Sequence, residues 1–175
     1  MKKILMSMVA LFATVTMSAQ VYVGGGVGFQ KKGDAQTFTI APEVGMSLDE
    51  KFGVGLQFGY TNVKDTYTQC AVNPYLRYQA LEIGKAKVFV DGGAYFNTKK
   101  LEGADKSSNA FGLNVAPGVA FNLTDHISIV AKANNLFVLD FSKEAGDDDT
   151  RTIVGLNTLN NFSAGDLMFG FYYNF

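Results

Sequence analysis

The stretch Phe52-Gly-Val-Gly-Leu-Gln-Phe-Gly-Tyr60 places a large apolar residue at every even position and Gly or Gln at every odd one. Successive side chains of a strand point to opposite faces, so this stretch reads as a strand with one apolar and one small, polar face. A helical period does not fit it. The same alternation recurs over residues 21–29, 38–48, 70–80, 88–96, 111–123, 127–141 and 167–175. Eight strands are therefore expected, each reaching or exceeding the roughly 9 to 11 residues that a tilted strand needs to cross a bilayer.

Alternation alone does not say which face points outward, because a soluble lipocalin-like barrel carries the same period with its apolar face inside. The distribution of charge decides it. Charged residues make up 18% of the chain, yet no apolar-face position in any of the eight stretches is charged. The opposite face is built from small residues, such as Gly53, Gly55, Gln57 and Gly59, or Gly112, Asn114, Ala116 and Gly118. A water-exposed exterior is rich in Lys and Glu, as solubility requires. The small face suits a narrow lumen, and the charge-free face suits lipid, where a charge at mid-bilayer costs about 2 to 4 kcal/mol. Apolar-face aromatics gather at both strand ends, with Phe52, Tyr78, Phe121, Tyr173 and Phe175 at one and Phe29, Phe38, Tyr60, Phe96 and Phe111 at the other. Two interfacial girdles have this form. Asn135 is the polar misfit of the apolar face and is expected near the outer interface.

Three strands share a local pattern, Ile40-Ala-Pro42-Glu-Val44, Val72-Asn-Pro74-Tyr-Leu76 and Val115-Ala-Pro117-Gly-Val119. Pro removes a ladder donor, so bulges or missing bonds are expected at all three sites. Asp49-Glu-Lys51, Glu82-Ile-Gly84 and Thr124-Asp-His126 read as tight turns, whereas residues 31–37, 62–69, 97–108 and 142–161 read as longer polar loops. Short turns at one end and long loops at the other put both termini on the periplasmic side of an outer-membrane barrel.

Composition removes other classes. With 15 Phe and 8 Tyr and so little charge the chain is not disordered, and a formal net charge of -1 offers nucleic acid no basic stripe. One Cys and one His leave no structural zinc set, no internal disulfide and no metal site. Lys2 and Lys3, the mainly apolar residues 4–17 and Ser18-Ala19-Gln20 read as an export signal over residues 1–19, with a barrel domain over residues 20–175. Its loss makes the mature chain mildly acidic. The glycines of Gly24-Gly25-Gly26-Val-Gly28 lie within period-two sequence and lack nucleotide-loop spacing, so they read as lumen-facing residues that make room. Asp147-Asp148-Asp149 beside Glu144 lacks the spacing of a calcium loop and reads as solvated. The sequons at Asn122 and Asn161 carry little meaning in a bacterial exported chain, and Cys70 reads as a small hydrophobe on the apolar face.

The eight alternating strands, the Pro-x-x-x-Tyr form of Pro74 to Tyr78 and the terminal Phe-Gly-Phe-Tyr-Tyr-Asn-Phe175 resemble the small outer-membrane β-barrels of Gram-negative bacteria, the OmpA/OmpX-type "porin family". The fold expected is an all-β, eight-stranded, antiparallel up-and-down transmembrane barrel. In this resemblance Leu167, Phe169, Phe171, Tyr173 and Phe175 are similar to the terminal signal that such proteins present to the barrel-assembly machinery. The Ser-Ala-Gln region and the Pro pattern are similar to proteins of the Bacteroidetes.

Inward strand positions carry Glu43, Arg77, Asp91, Lys132, Asp140 and Asp166. An eight-stranded interior is just wide enough for side chains to fill, so these charges are expected to pair, with Arg77 and Lys132 bridging the acids and closing the bore. The reading that follows is a structural or surface-interaction protein with a filled polar lumen and longer outer loops; a narrow porin-like channel is the alternative. An enzyme is the poorest reading, because the one His, His126, falls in a predicted periplasmic turn away from any Ser and acid at the outer rim. No cofactor is expected. The expected partners are outer-membrane lipid and lipopolysaccharide, the assembly machinery during insertion and a surface ligand of the loops, with the barrel acting as a monomer. Deleting Phe175 is expected to lower outer-membrane levels far more than the loss of one side chain implies. Quantitative blotting of membrane fractions against the full chain measures this.

Overall fold

The computed structural model describes residues 20–32, 35–103, 107–133, 136–143, 150–156 and 167–175. Ten strand segments run in chain order: β1 (Val21–Lys32), β2 (Ala35–Ser47), β3 (Phe52–Val63), β4 (Tyr67–Ile83), β5 (Ala86–Leu101), β6 (Ser107–Asn122), β7 (Ile127–Ala133), β8 (Phe137–Lys143), β9 (Thr150–Leu156) and β10 (Leu167–Asn174). Each pairs antiparallel with its neighbours in the order β5-β4-β3-β2-β1-β10-β7-β6, and β6 returns to β5. The result is a closed eight-stranded barrel. β8 continues the course of β7 along β6, and β9 pairs with β8.

The apolar face points out. Phe29 is 69% exposed, Phe171 64% and Phe169 55%. Interior positions hold Tyr22, Phe89, Ala120, Val130 and Tyr172, which form a small buried cluster, while Cys70 lies exposed on the outer face. An exterior of this kind is stable in hydrocarbon and not in water, which separates the barrel from the lipocalin-like alternative.

The ladder is interrupted at each Pro. Between β2 and β3 pairing passes from Ile40↔Tyr60 to Glu43↔Gln57, skipping Pro42, and between β4 and β5 it passes from Val72↔Phe96 to Tyr75↔Gly93, skipping Pro74. At Pro117 the effect is larger. From Gly118↔Lys132 to Val115↔Phe137, β6 advances by three positions and its partner by five, so two extra residues bulge where Pro offers no donor. This bulge divides the single strand expected over residues 127–141 into β7 and β8. Asn135 lies outside the described residues.

The outer connections differ from the expected long loops. β1 and β2 extend to Lys32 and from Ala35, β5 runs on to Leu101, and β3 and β4 meet across the short turn Lys64-Asp65-Thr66, where Asp65 takes a left-handed conformation at φ 54°. β9 lies inside the fourth expected loop. Beyond the membrane both faces of a strand are wet, so alternation disappears from the sequence while the backbone still gains by continuing its ladder. At the opposite end the turns are tight. Asp49 Oδ1 accepts from the amides of Lys51 and Phe52, both at 2.7 Å, and those donors hold its carboxyl below the usual aspartate range.

Closure depends on the seam where β10 meets β1. Gly25 sits at φ 146°, and a Cβ on Gly170 would stand 1.9 Å from the Gly25 carbonyl oxygen. Gly170 is paired with Gly26 across this seam, so neither strand carries a side chain there and the two can approach. Gly170→Val is accordingly expected to abolish the compact, faster-migrating form that unheated barrels show on gels. Gly28→Ala, whose Cβ would meet nothing closer than Thr39 at 3.7 Å, is expected to keep it.

Candidate functional site

Four inward charges from four strands meet in the bore. Glu43 comes from β2, Arg77 from β4, Asp91 from β5 and Lys132 from β7. Arg77 and Asp91 are directly opposed across the β4–β5 ladder, and the guanidinium grips the carboxylate with Nε at 2.7 Å and Nη2 at 2.8 Å. The same Nη2 donates to Glu43 Oε1 at 3.0 Å. Lys132 Nζ closes the cycle, 2.9 Å from Glu43 Oε2 and 2.9 Å from Asp91 Oδ2. Two acids and two bases thus alternate around a ring, and every charge has two opposite neighbours. The Glu43 side chain has no exposed surface, and those of Asp91 and Lys132 are nearly as buried.

A shell of neutral donors completes it. Glu43 accepts from Tyr75 Oη, from Tyr172 Oη at 2.7 Å and from Gln57 Nε2 at 3.0 Å, in addition to Arg77 and Lys132. Tyr22 Oη donates to Tyr75 Oη at 2.6 Å, and Arg77 Nη2 also donates to Tyr172 Oη at 3.1 Å. The guanidinium carbon lies 3.9 Å from the centre of the Phe89 ring. A charge in a dry interior is tolerable only when its lone pairs and protons are met in this way.

The ring has space on either side. Above it lies a cavity of about 230 Å³ lined by amide and hydroxyl side chains, and below it one of about 120 Å³ at the short-turn end, with Arg77 in its wall.

Asp140 does not reach the ring, contrary to the expectation that Arg77 and Lys132 bridge it. It stands opposite Gly112 on β8, beyond the bulge, and accepts from Tyr95 Oη at 2.6 Å. Asp166 lies outside the described residues, as do residues 1–19, Glu144, Asp147 to Asp149 and Asn161. His126 occupies the β6–β7 turn, its Nδ1 2.9 Å from the Asn174 carbonyl and its ring stacked on Tyr173. Leu167, Phe169, Phe171 and Tyr173 all lie on the outward face of β10, with Phe175 70% exposed just beyond it.

Sequence reasoning does not single out Tyr22, Gln57, Tyr75, Phe89 or Tyr172. A signal for two of them exists in the neighbouring strands. Gly45 faces the Tyr22 phenol and Gly55 faces the Tyr75 phenol, so each large inward ring has a glycine to lie against.

A closed barrel of eight tilted strands, apolar outside and ionic within, defines a small transmembrane β-barrel. The chain belongs to the outer membrane protein β-barrel domain family, whose pattern it matches over residues 4–175. Its setting is accordingly the outer membrane of a Gram-negative cell. In fold it is similar to Neisserial surface protein A, at 12% identity over 90% of this chain and 97% of that one, with a TM-score of 0.60. It is also similar to a major outer membrane protein of Thermus thermophilus, at 16% identity over 90% and 100% of the two chains with a TM-score of 0.53. The N-terminal barrel domain of Pseudomonas aeruginosa OprF gives 12% identity over 90% and 96%, with a TM-score of 0.52. No curated protein matches the chain in sequence.

Truncating Arg77 leaves Lys132 alone to neutralise two buried carboxylates. Arg77→Ala is expected to lower unfolding free energy by roughly 3 to 5 kcal/mol, read from urea titrations in detergent or lipid. In a double-mutant cycle with Glu43→Gln, a coupling above about 0.5 kcal/mol is expected.

Proposed function

We propose that this protein serves a structural or surface-interaction role in the outer membrane, with its lumen closed to ions. One observation carries the reading: the Glu43–Arg77–Asp91–Lys132 ring and its tyrosine shell span the bore between the two cavities. Conduction needs a continuous wet path with sites that bind weakly, and four mutually neutralised charges packed against aromatic rings offer neither. In this reading the chain is not an enzyme. Residues 1–19 act as the export signal and residues 20–175 as the barrel, both termini face the periplasm, and the strand ends and loops beyond the membrane meet lipopolysaccharide or a surface ligand. The outward aromatics of β10, ending in Phe175, serve recognition by the assembly machinery, and the barrel works as a monomer.

Planar-bilayer recording tests the closed lumen. The wild type is expected to show little or no steady conductance, and Arg77→Ala is expected to leak cations, because the lost guanidinium vacates volume and unmasks Glu43 and Asp91. Wild-type currents of ordinary porin size would favour the narrow-channel alternative and overturn the reading.

A further inference from the structure

β10 closes the barrel, yet its ladder to β1 is short. It runs from Tyr22↔Asn174 to Val27↔Phe169, whereas the ladder on the other edge of β1 runs from Val21↔Met46 to Lys32↔Ala35. The glycine pair Gly26↔Gly170 adds no side-chain packing to it. What holds the lower end of β10 therefore bears on the whole seam.

That end meets the β6–β7 turn. The β7–β10 ladder reaches Ile127↔Tyr173, so His126 and Asn174 are next in register. A hydrogen-bonded pair in an antiparallel ladder exchanges two N–H···O bonds. One of them is present, from the Asn174 amide to the His126 carbonyl at 2.7 Å. The backbone does not supply the other, because the His126 amide turns back to Thr124 Oγ1 at 3.3 Å. The imidazole takes its place. Nδ1 lies 2.9 Å from the Asn174 carbonyl oxygen, and a carbonyl can only accept, so Nδ1 is the nitrogen that carries the proton.

Other contacts converge on the same residues. The imidazole ring stacks on Tyr173, with centroids 5.8 Å apart and planes inclined by 17°. Asn174 Nδ2 donates to Ser128 Oγ at 3.1 Å, and Ser128 Oγ donates to Asn122 Oδ1 at 2.8 Å, which ties β10 to β7 and β6 together. One residue on, the Phe175 amide donates to the Val21 carbonyl at 2.9 Å. Fixing Asn174 thus also fixes the start of β1.

We propose that the β6–β7 turn is a latch on the closing strand, with the His126 imidazole as the group that engages it. The side chain completes a ladder that the turn backbone breaks off, and so keeps the β1–β10 seam shut from the short-turn end. Released, the seam frays from Asn174 upward. The lower cavity, whose wall includes Ser128, Tyr172 and Asn174, widens with it.

Nuclear magnetic resonance of the refolded full chain in detergent micelles tests the latch in two ways. In alkaline buffer, where an imidazole is neutral, the ring nitrogen shifts of the wild type are expected to place the proton on Nδ1, as its hydrogen bond to the carbonyl requires. In hydrogen exchange, His126→Ala is expected to speed the Asn174 and Phe175 amides by about three- to tenfold, the loss of one net hydrogen bond, while β3 and β4 keep their wild-type rates. His126→Asn, whose side-chain amide can donate to the same carbonyl, is expected to recover part of the protection. A proton on Nε2, unchanged exchange at Asn174 and Phe175, an equal rise in β3 and β4, or a His126→Asn variant no better protected than His126→Ala would overturn the proposal. The position of the proton is read on the wild type, so a variant that does not refold still leaves the latch open to refutation.

Discussion

Inside a bilayer no water is available to the peptide backbone, so every N–H and C=O of a membrane-crossing strand must find a partner in a neighbouring strand. The rest of this structure follows from meeting that demand by closure. β10 pairs with β1 on one side and β7 on the other, and β5 pairs with β6, so the ladder closes around eight strands. The joint is built from glycine on both sides, Gly24 to Gly26 against Gly170, because the strands approach more closely there than side chains allow. Once the ladder is closed, apolar side chains need no partner within the protein, and lipid takes the place of a core.

Closing the sheet around eight strands leaves an interior too narrow for an ordinary hydrophobic core, yet with some width to fill. Here it is filled by chemistry that a soluble core avoids. Glu43 accepts from five donors reaching in from β3, β4, β7 and β10, so its charge is shared across the barrel. Such a network is a weak source of net stability compared with apolar packing of equal volume, but it is intolerant of losing one member. It also fixes register. A slip of any contributing strand by one residue sends its charge into lipid.

Three prolines in a closed sheet look contradictory, and the structure resolves this by local interruption. Pro42 and Pro74 each face a gap in one ladder, and Pro117 faces a bulge that shifts the upper part of the adjoining strand. These interruptions have consequences inside the bore. The gap beside Pro74 leaves its carbonyl close to Asn73 and Asn114 over Gly93, and the bulge opposite Pro117 precedes the segment that carries Asp140, held by Tyr95 apart from the ring.

The alternation of residues 52–60, repeated along the chain and free of charge on one face, is enough to establish a closed transmembrane barrel and to say which side chains point inward. Period two is a property of the backbone and survives without any long-range information. It fades at the outer ends, where both faces of β4 and β5 are wet and strand reads as loop. Parity puts Arg77, Lys132, Glu43, Asp91 and Asp140 on the inner face, but it carries no height along the bore. Which of them meet depends on strand stagger and on a bulge two residues deep. The tyrosines that complete the ring are hidden for a related reason, since a Tyr on an inward position reads as lining until its hydroxyl is seen to reach across to Glu43. Local sequence thus determined the faces of each strand and, through them, the membrane. Only the tertiary structure decided which charges became neighbours, because that depends on the register between strands far apart in the chain.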